Sequence, residues 1–321
     1  MRSIAYALMT GTLLVSAPAM AQTQLSIATG GTGGVYYPIG GGLAELITQH
    51  LDGYSAVAEV TGASVENLAY IHSGESDLAL VLGDSAYQAY TGTGAFEGRQ
   101  VAGVRALASV YPNAVQIVVP AESSINSLAD LVGQRVSVGA PGSGTEVNAQ
   151  ALLEGNGITY DDLAAAQRFN FNETADAIRD GDIDAGIWSV GPPTGSIISL
   201  AVTRPIRLLS LTNEEIENAR AAEPIFAPYT LPGGSYEGVD EDTQTIGIPN
   251  ALVVNDEMDE ELAYEITKLL FERVEDLRAI HPAANDTTVE FSLGSSPIPL
   301  HPGAIRYYEE IGAEVPDHLR P

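Results

Sequence analysis

Cysteine is absent from this chain of 321 residues. No disulfide can staple the fold, and thiolate metal sites and cysteine nucleophiles are excluded, so apolar burial must carry stability. Positive charge is also scarce. Fourteen Lys and Arg face 42 Asp and Glu, Lys268 is the only lysine, and the formal net charge is −28. Such a chain repels nucleic acid and anionic lipid, so neither is expected as a partner. The acids are spread along the chain rather than clustered. They read as a solvated surface suited to salty surroundings, where screening acts within about 8 Å, rather than as a cation site. The five histidines form no metal-ligand spacing, so no metal and no cofactor is expected.

Long apolar runs are lacking except near the start. Arg2 precedes the largely apolar stretch Ile4–Val15, and Ala19-Met20-Ala21 fits the small-x-small rule of signal peptidase. The run is too short to span a bilayer as a stable helix. Residues 1–21 are therefore expected to be a cleaved signal peptide, leaving a mature chain from near Gln22 that works in the periplasm. A mature chain of this length suits two cores better than one.

What is present is an alternation of short β-like runs with helical stretches, which predicts an α/β fold. Leu25–Ala28 reads as a strand, followed by the turn Gly30-Gly31-Thr32-Gly33-Gly34 and a helix over Pro38–His50. The pattern recurs: a strand at Val136–Gly139, the turn Pro141-Gly142-Ser143-Gly144-Thr145, and a helix to the stop at Gly155. Ser143 and Glu146 have capping-box spacing. A second pair repeats in the same order, Gly74-Glu75-Ser76-Asp77 before the strand Leu78–Leu82 and Gly181-Asp182-Ile183-Asp184 before the strand Ala185–Val190. Two similar α/β lobes are expected. A further strand is predicted over Ala114–Val119 and a short helix over Ala86–Tyr90. Towards the end the spacing predicts an ordered loop over Pro224–Asp242, a strand over Thr245–Val254, one amphipathic helix over Asp259–Ile280 and a short helix near Ile305–Ile311.

A helix start exposes unpaired N–H groups and a partial positive charge, and glycines let a ligand approach the backbone. The two Gly-rich loops therefore read as anion sites, with Thr32, Ser143 and Thr145 adding hydroxyl donors. The competing reading, plain turns between strand and helix, is weakened by the repetition. Neither loop has the spacing of a dinucleotide fingerprint or the Gly-Lys-Ser/Thr ending of a P-loop. Gly83-Asp84-Ser85 is similar to the nucleophile block of GDS-type esterases, but no Asp-x-x-His follows, because Arg278, Ile298 and Val315 stand three before His281, His301 and His318. No Gly-x-Ser-x-Gly elbow occurs. Asp240-Glu241-Asp242 lacks the glycine and closing Glu of a calcium loop and reads as a solvated turn. Tyr36, Tyr37, Tyr87 and Trp188 fall near the carboxyl ends of strands, where α/β sheets place ligands; a single Trp is otherwise a core residue.

Four segments in order, Gly30–Pro38, Gly139–Glu146, Tyr229–Gly233 and His301–Tyr308, resemble the TAXI receptors of tripartite ATP-independent periplasmic (TRAP) transporters. The resemblance covers essentially the whole mature chain. It implies a type II periplasmic-binding-protein fold, ion-driven TRAP membrane permease subunits as partners, and an organic-acid or amino-acid ligand such as glutamate or a dicarboxylate. Where that family reads Gln-Ser-Asp before Ala-Tyr-Gln, this chain has Leu82-Gly83-Asp84, and the resemblance then implies a smaller or less polar ligand.

The expectation is a periplasmic solute receptor, monomeric and without enzymatic activity. One lobe covers 22–111 plus 231–321 and the other 112–230, with hinges near Tyr111-Pro112 and Pro228-Tyr229. The candidate ligand-binding residues are Thr32, Gly33, Gly34, Val35, Tyr36, Asp84, Tyr87, Ser143, Gly144, Thr145, Trp188 and Gly191. The ligand, a small organic anion or amino acid, is expected to be held by helix starts and hydroxyls, with Arg168 as the rival clamp. The competing functions are a secreted small-acid hydrolase using Ser85 or Ser143, and a sensor or scaffold subunit.

Overall fold

The computed structural model describes residues 22–321, and the expected signal peptide lies outside them. The first repeat runs β1 (Thr23–Ala28), α1 (Tyr36–His50), β2 (Tyr54–Glu59), α2 (Ser64–Ser73), β3 (Leu78–Leu82) and α3 (Gly83–Thr91). A long strand, β4 (Val104–Pro120), leads to the second: β5 (Arg135–Ser137), α4 (Gly144–Gly155), β6 (Ala165–Gln167), α5 (Phe171–Asp180), β7 (Ala185–Val190) and α6 (Gly195–Thr203). Then come β8 (Ile206–Leu208), α7 (Asn213–Ala222), β9 (Ala227–Leu231), the long return strand β10 (Thr243–Asn255), α8 (Glu260–Glu272), α9 (Val274–Ile280), α10 (Val289–Ser295) and α11 (Pro302–Glu310).

The sheet order is β2-β1-β3-β10-β4-β7-β5-β6, with β8 on β4 and β9 on β10. Each repeat contributes its strands in the order second, first, third, all parallel, and each is closed by an antiparallel neighbour, β10 on β3 and β4 on β7. β3 and β7 are buried along their full length, as apolar strands covered on both faces must be. The repeated Gly-x-x-Asp segment has a physical role. Gly74 and Gly181 end α2 and α5 in the left-handed conformation that suits glycine. The Asp77 carboxylate then accepts the Ser26 N–H of β1 at 2.8 Å, and Asp184 accepts the Arg135 N–H of β5 at 2.9 Å. In both repeats the acid ties the start of the third strand to the first.

β4 and β10 pass from one half to the other. On β10, Ile246 and Ile248 belong to the core cluster of Val115, Ile117, Leu152 and Ile187, whereas Ala251–Val254 belong to the one that holds Ile27, Leu80 and the buried residues of α1 and α8. At the crossing Pro112 stands opposite Pro249, and the register shifts between Pro249 and Ala251. Proline cannot donate to the ladder, so a pair of them with a bulge makes a weak line across the two strands.

Four expectations need correction. The strand at Ala114–Val119 extends back to Val104, because apolar Val104–Val110 continues it into the first half. Pro224–Asp242 is not all loop: Ala227–Leu231 pairs with β10 as an edge strand, where the N–H missing from Pro228 is tolerated. The helix predicted over Asp259–Ile280 is two, broken at Arg273 (φ −114°, ψ 20°). The capping box at Ser143 is half made: Ser143 Oγ accepts the Glu146 N–H at 3.1 Å, but the Glu146 carboxylate turns to Arg168 and to the Gly142 N–H.

Candidate functional site

The turns that follow β1, β2, β5 and β6 meet the ends of β3 and β7 at the carboxyl edge of these parallel strands, the expected ligand position in such sheets. They enclose a small cavity of about 60 Å³ that opens to solvent. The first repeat supplies Gly30, Gly31, Gly34, Val35 and Tyr36 from the β1–α1 turn, Thr61–Ser64 from the β2–α2 turn, and Leu82. The second supplies Ala140, Ser143, Gly144 and Thr145, with Asn170, Phe171, Ser189 and Val190; Asn113 of β4 lies at the base.

Four helices begin on this wall, α1, α2, α4 and α5, and at the last the Asn170 side chain already accepts the Asn172 and Glu173 N–H groups. Val35 and Ser143 precede α1 and α4, whose first N–H groups have no acceptor within their own helices. The start of α2 is already occupied, because Val65 N–H and Glu66 N–H donate to the Gly142 carbonyl of the other repeat at 3.1 and 3.3 Å. Ala63, which precedes α2, has φ 76° and ψ −147° and is the non-glycine residue with positive φ among the described residues. That region suits glycine almost alone and costs on the order of 1–3 kcal/mol for alanine, a strain held in place on the cavity wall. Gly144 permits the close approach of the two halves: a Cβ there would lie 2.4 Å from Leu82 Cδ1 and 2.7 Å from Ser64 Oγ.

The polar lining is uncharged. Ser64 Oγ accepts the Leu82 N–H at 3.0 Å, Ser143 Oγ that of Glu146, and Thr145 Oγ1 that of Ser189 at 3.4 Å. Each hydroxyl therefore keeps its own proton to donate. Beneath the cavity runs a chain of side chains from one half to the other. The Tyr36 hydroxyl donates to Asn250 Oδ1, Asn250 Nδ2 to Asn113 Oδ1 at 2.7 Å, and Asn113 Nδ2 to the Ser189 carbonyl at 2.9 Å. Burial, and then the neighbouring Tyr111, push the Tyr36 phenol well above its ordinary pKa, so it is neutral.

Of the sequence-predicted residues, Gly34, Val35, Tyr36, Ser143, Gly144 and Thr145 line the cavity. The other six do not. Thr32 is exposed and accepts a hydrogen bond from Asn172 Nδ2 of the other repeat at 3.3 Å, and the Gly33 carbonyl accepts the Ser196 N–H at 3.2 Å. Tyr87 is exposed. Gly191 is packed against Tyr111 and Ala283. Trp188 is fully buried, its Nε1 on Ser196 Oγ, and it stacks behind the cavity-lining Phe171 at 6.2 Å. Asp84 lies buried in the first turn of α3, with Oδ2 2.5 Å from Asn148 Nδ2 of α4. Burial first, then the Glu223 carboxylate, raise its pKa from 3.8 to about 7 against the opposing Ser85 N–H and Asn148 amide. Arg168 is paired with Glu146 and lies over the Tyr160 ring.

Sequence reasoning missed Ser64, Asn113, Asn170, Phe171 and Ser189. The turn Thr61-Gly62-Ala63-Ser64 between a strand and a helix carried a readable signal; the others carried none, since each is an ordinary strand or helix-start residue. Neither Ser85 nor Ser143 has a histidine partner: Ser85 Oγ is buried without any hydrogen bond among the described residues, and Ser143 caps α4.

The chain superposes on PhnD1 from Prochlorococcus marinus in complex with methylphosphonate with a TM-score of 0.56 at 11% identity, over 91% of this chain and 99% of that one. It matches a binding protein component of an ABC phosphonate transporter from Pseudomonas aeruginosa with a TM-score of 0.54 at 13% identity, over 82% and 79%. A putative L-cystine ABC transporter from Listeria monocytogenes aligns with a TM-score of 0.51 at 14% identity, over 83% and 98%. At these identities the likeness establishes the fold, the two-lobed α/β architecture of periplasmic binding proteins. The sequence pattern of the NMT1-like family matches residues 27–312, almost all of the described chain and including every wall of the cavity, and the chain belongs to that family.

Proposed function

We propose that this protein is an exported receptor that captures a small organic anion between two lobes and delivers it to a TRAP membrane permease. The observation that carries this reading is the cavity itself. Its walls come from both repeats, the starts of α1 and α4 and several hydroxyls face it, and its lining offers hydrogen-bond donors rather than a nucleophile with a base. The TAXI-like segments Gly30–Pro38 and Gly139–Glu146 form opposite walls, which supports the TRAP assignment. The named structures of ABC transport components favour a second reading, in which the same capture step serves an ABC permease.

The lobes in this proposal are 22–111 with 231–321, and 112–230. The first hinge lies at Tyr111-Pro112; for the return, besides the Pro228-Tyr229 expectation, the Pro112–Pro249 pair offers a weak line across both long strands. The described state is closed, with hydrogen bonds from Val65, Glu66, Asn148, Asn172 and Ser196 spanning the repeats. The receptor acts as a monomer in the periplasm after removal of residues 1–21. Small-angle scattering of ligand-stripped protein should show a larger radius of gyration than the same protein with the solute that native mass spectrometry finds after purification. An identical profile in both states sinks the clamp, and steady product release from esters, amides or phosphates sinks the receptor reading.

A further inference from the structure

We propose that the cavity takes a monocarboxylate with a compact apolar remainder, in preference to a dicarboxylate or an α-amino acid. The inference rests on the receptor reading and narrows its ligand.

Charge decides the number of carboxylates. No Asp, Glu, Lys, Arg or His lines the cavity among the described residues. The available positive potential comes from the starts of α1 and α4, helices of 15 and 12 residues. Each start carries roughly half an elementary charge, so the two together match one negative charge. A second carboxylate would enter an apolar wall without a counter-charge, and Arg168 is held by Glu146. An α-ammonium fares no better. It needs an acidic partner, and Asp84 does not reach the cavity, its Oδ2 being held by Asn148.

A second observation points to the ligand independently. Ser189 is 4% exposed, lines the cavity, and its Oγ has no hydrogen-bond partner among the described residues. A buried hydroxyl left unpaired is costly, and a ligand oxygen would satisfy it. Its backbone N–H is tied to Thr145 Oγ1, which places both hydroxyls beside the start of α4. The rest of the wall is apolar: Val35, Leu82, Phe171 and Val190, with Trp188 fixing the Phe171 ring from behind. The carboxylate thus sits at the helix starts against Ser143, Thr145 and Ser189, and the apolar remainder lies on Phe171 and Leu82.

The test is calorimetric titration of the ligand-stripped full chain with butanoate, benzoate, butanamide, succinate, L-glutamate and L-leucine. Butanoate or benzoate should bind at least about tenfold more tightly than the other four, and Ser189→Ala should weaken that binding about tenfold, the loss of one hydrogen bond to a charged group. The same variant should keep or raise the melting temperature of the ligand-free protein, because it removes an unpaired buried hydroxyl and no protein hydrogen bond. Tighter binding of succinate, glutamate or leucine overturns the inference and leaves the receptor reading intact. Undiminished affinity in Ser189→Ala overturns the placement. If no probe binds and scattering shows no closure with any copurified solute, the inference and the receptor reading fall together.

Discussion

Asp84→Asn isolates a single buried charge, and its effect can be worked from the structure. The carboxyl group is fully buried where α3 meets α4, with Oδ2 on Asn148 and Oδ1 unpaired among the described residues. Its pKa stands at about 7 in the folded protein against an ordinary 3.8. Because the folded pKa is raised, the folded state keeps a proton that the unfolded chain has released between these values. The contribution to stability is therefore full below pH 3.8 and declines as the pH rises through about 7. At about 1.4 kcal/mol per pH unit the loss approaches ~4 kcal/mol, an upper bound because parting of the lobes would rehydrate the carboxylate. Asparagine is nearly isosteric and does not titrate. Urea unfolding of both proteins from about pH 4 to about pH 8 should thus show the variant gaining on the parent by up to ~4 kcal/mol. The remaining acids titrate alike in both and cancel in the difference. Parallel stability profiles would refute the assignment of a buried, protonated Asp84.

Gly144→Val places a side chain within 2.4 Å of Leu82 Cδ1 and 2.7 Å of Ser64 Oγ, so it should hold the halves apart. Solute affinity should fall by about a hundredfold while circular dichroism stays native, on the order of the 1–3 kcal/mol cost of overpacking. Thr145→Ala removes the acceptor of the buried Ser189 N–H and should lower unfolding free energy by about 1–3 kcal/mol, measured by urea titration. Ala63→Gly relieves a backbone strain on the order of 1–3 kcal/mol against an entropic cost of about 0.4–1 kcal/mol, so its melting temperature should rise. Ser85→Ala should leave solute binding unchanged, since Ser85 Oγ is buried away from the cavity lining; weakened binding would place the site elsewhere.

Part of this molecule is legible along the chain because its physics is local. A glycine that ends a helix, an acid directly before a buried strand and a serine that caps the next helix all act within one turn. These signals marked both repeats, the two Gly-rich walls and the half of the candidate residues that line the cavity. The boundaries that failed, at Arg273 and across Val104–Val110, lie where apolar patterning runs on through a break or a crossing. Packing, not periodicity, decides there.

The rest is set by distance in sequence. Ser64, Asn113, Phe171 and Ser189 come from four separate elements, and nothing within a few residues of any of them marks a cavity. Trp188 and Asp84 looked like site residues because they lie near the carboxyl ends of strands, yet the first supports Phe171 from the core and the second joins α3 to α4. The sequence by itself determined the α/β repeat, the glycine turns and the acidic surface, because propensity, capping and net charge are properties of short segments or of composition. Only the tertiary structure decided which turns share a cavity, that its lining carries no charge, and that a lone aspartate is buried behind it. Those facts depend on how β4 and β10 carry one repeat onto the other, and hence on many weak contacts between residues far apart in the chain.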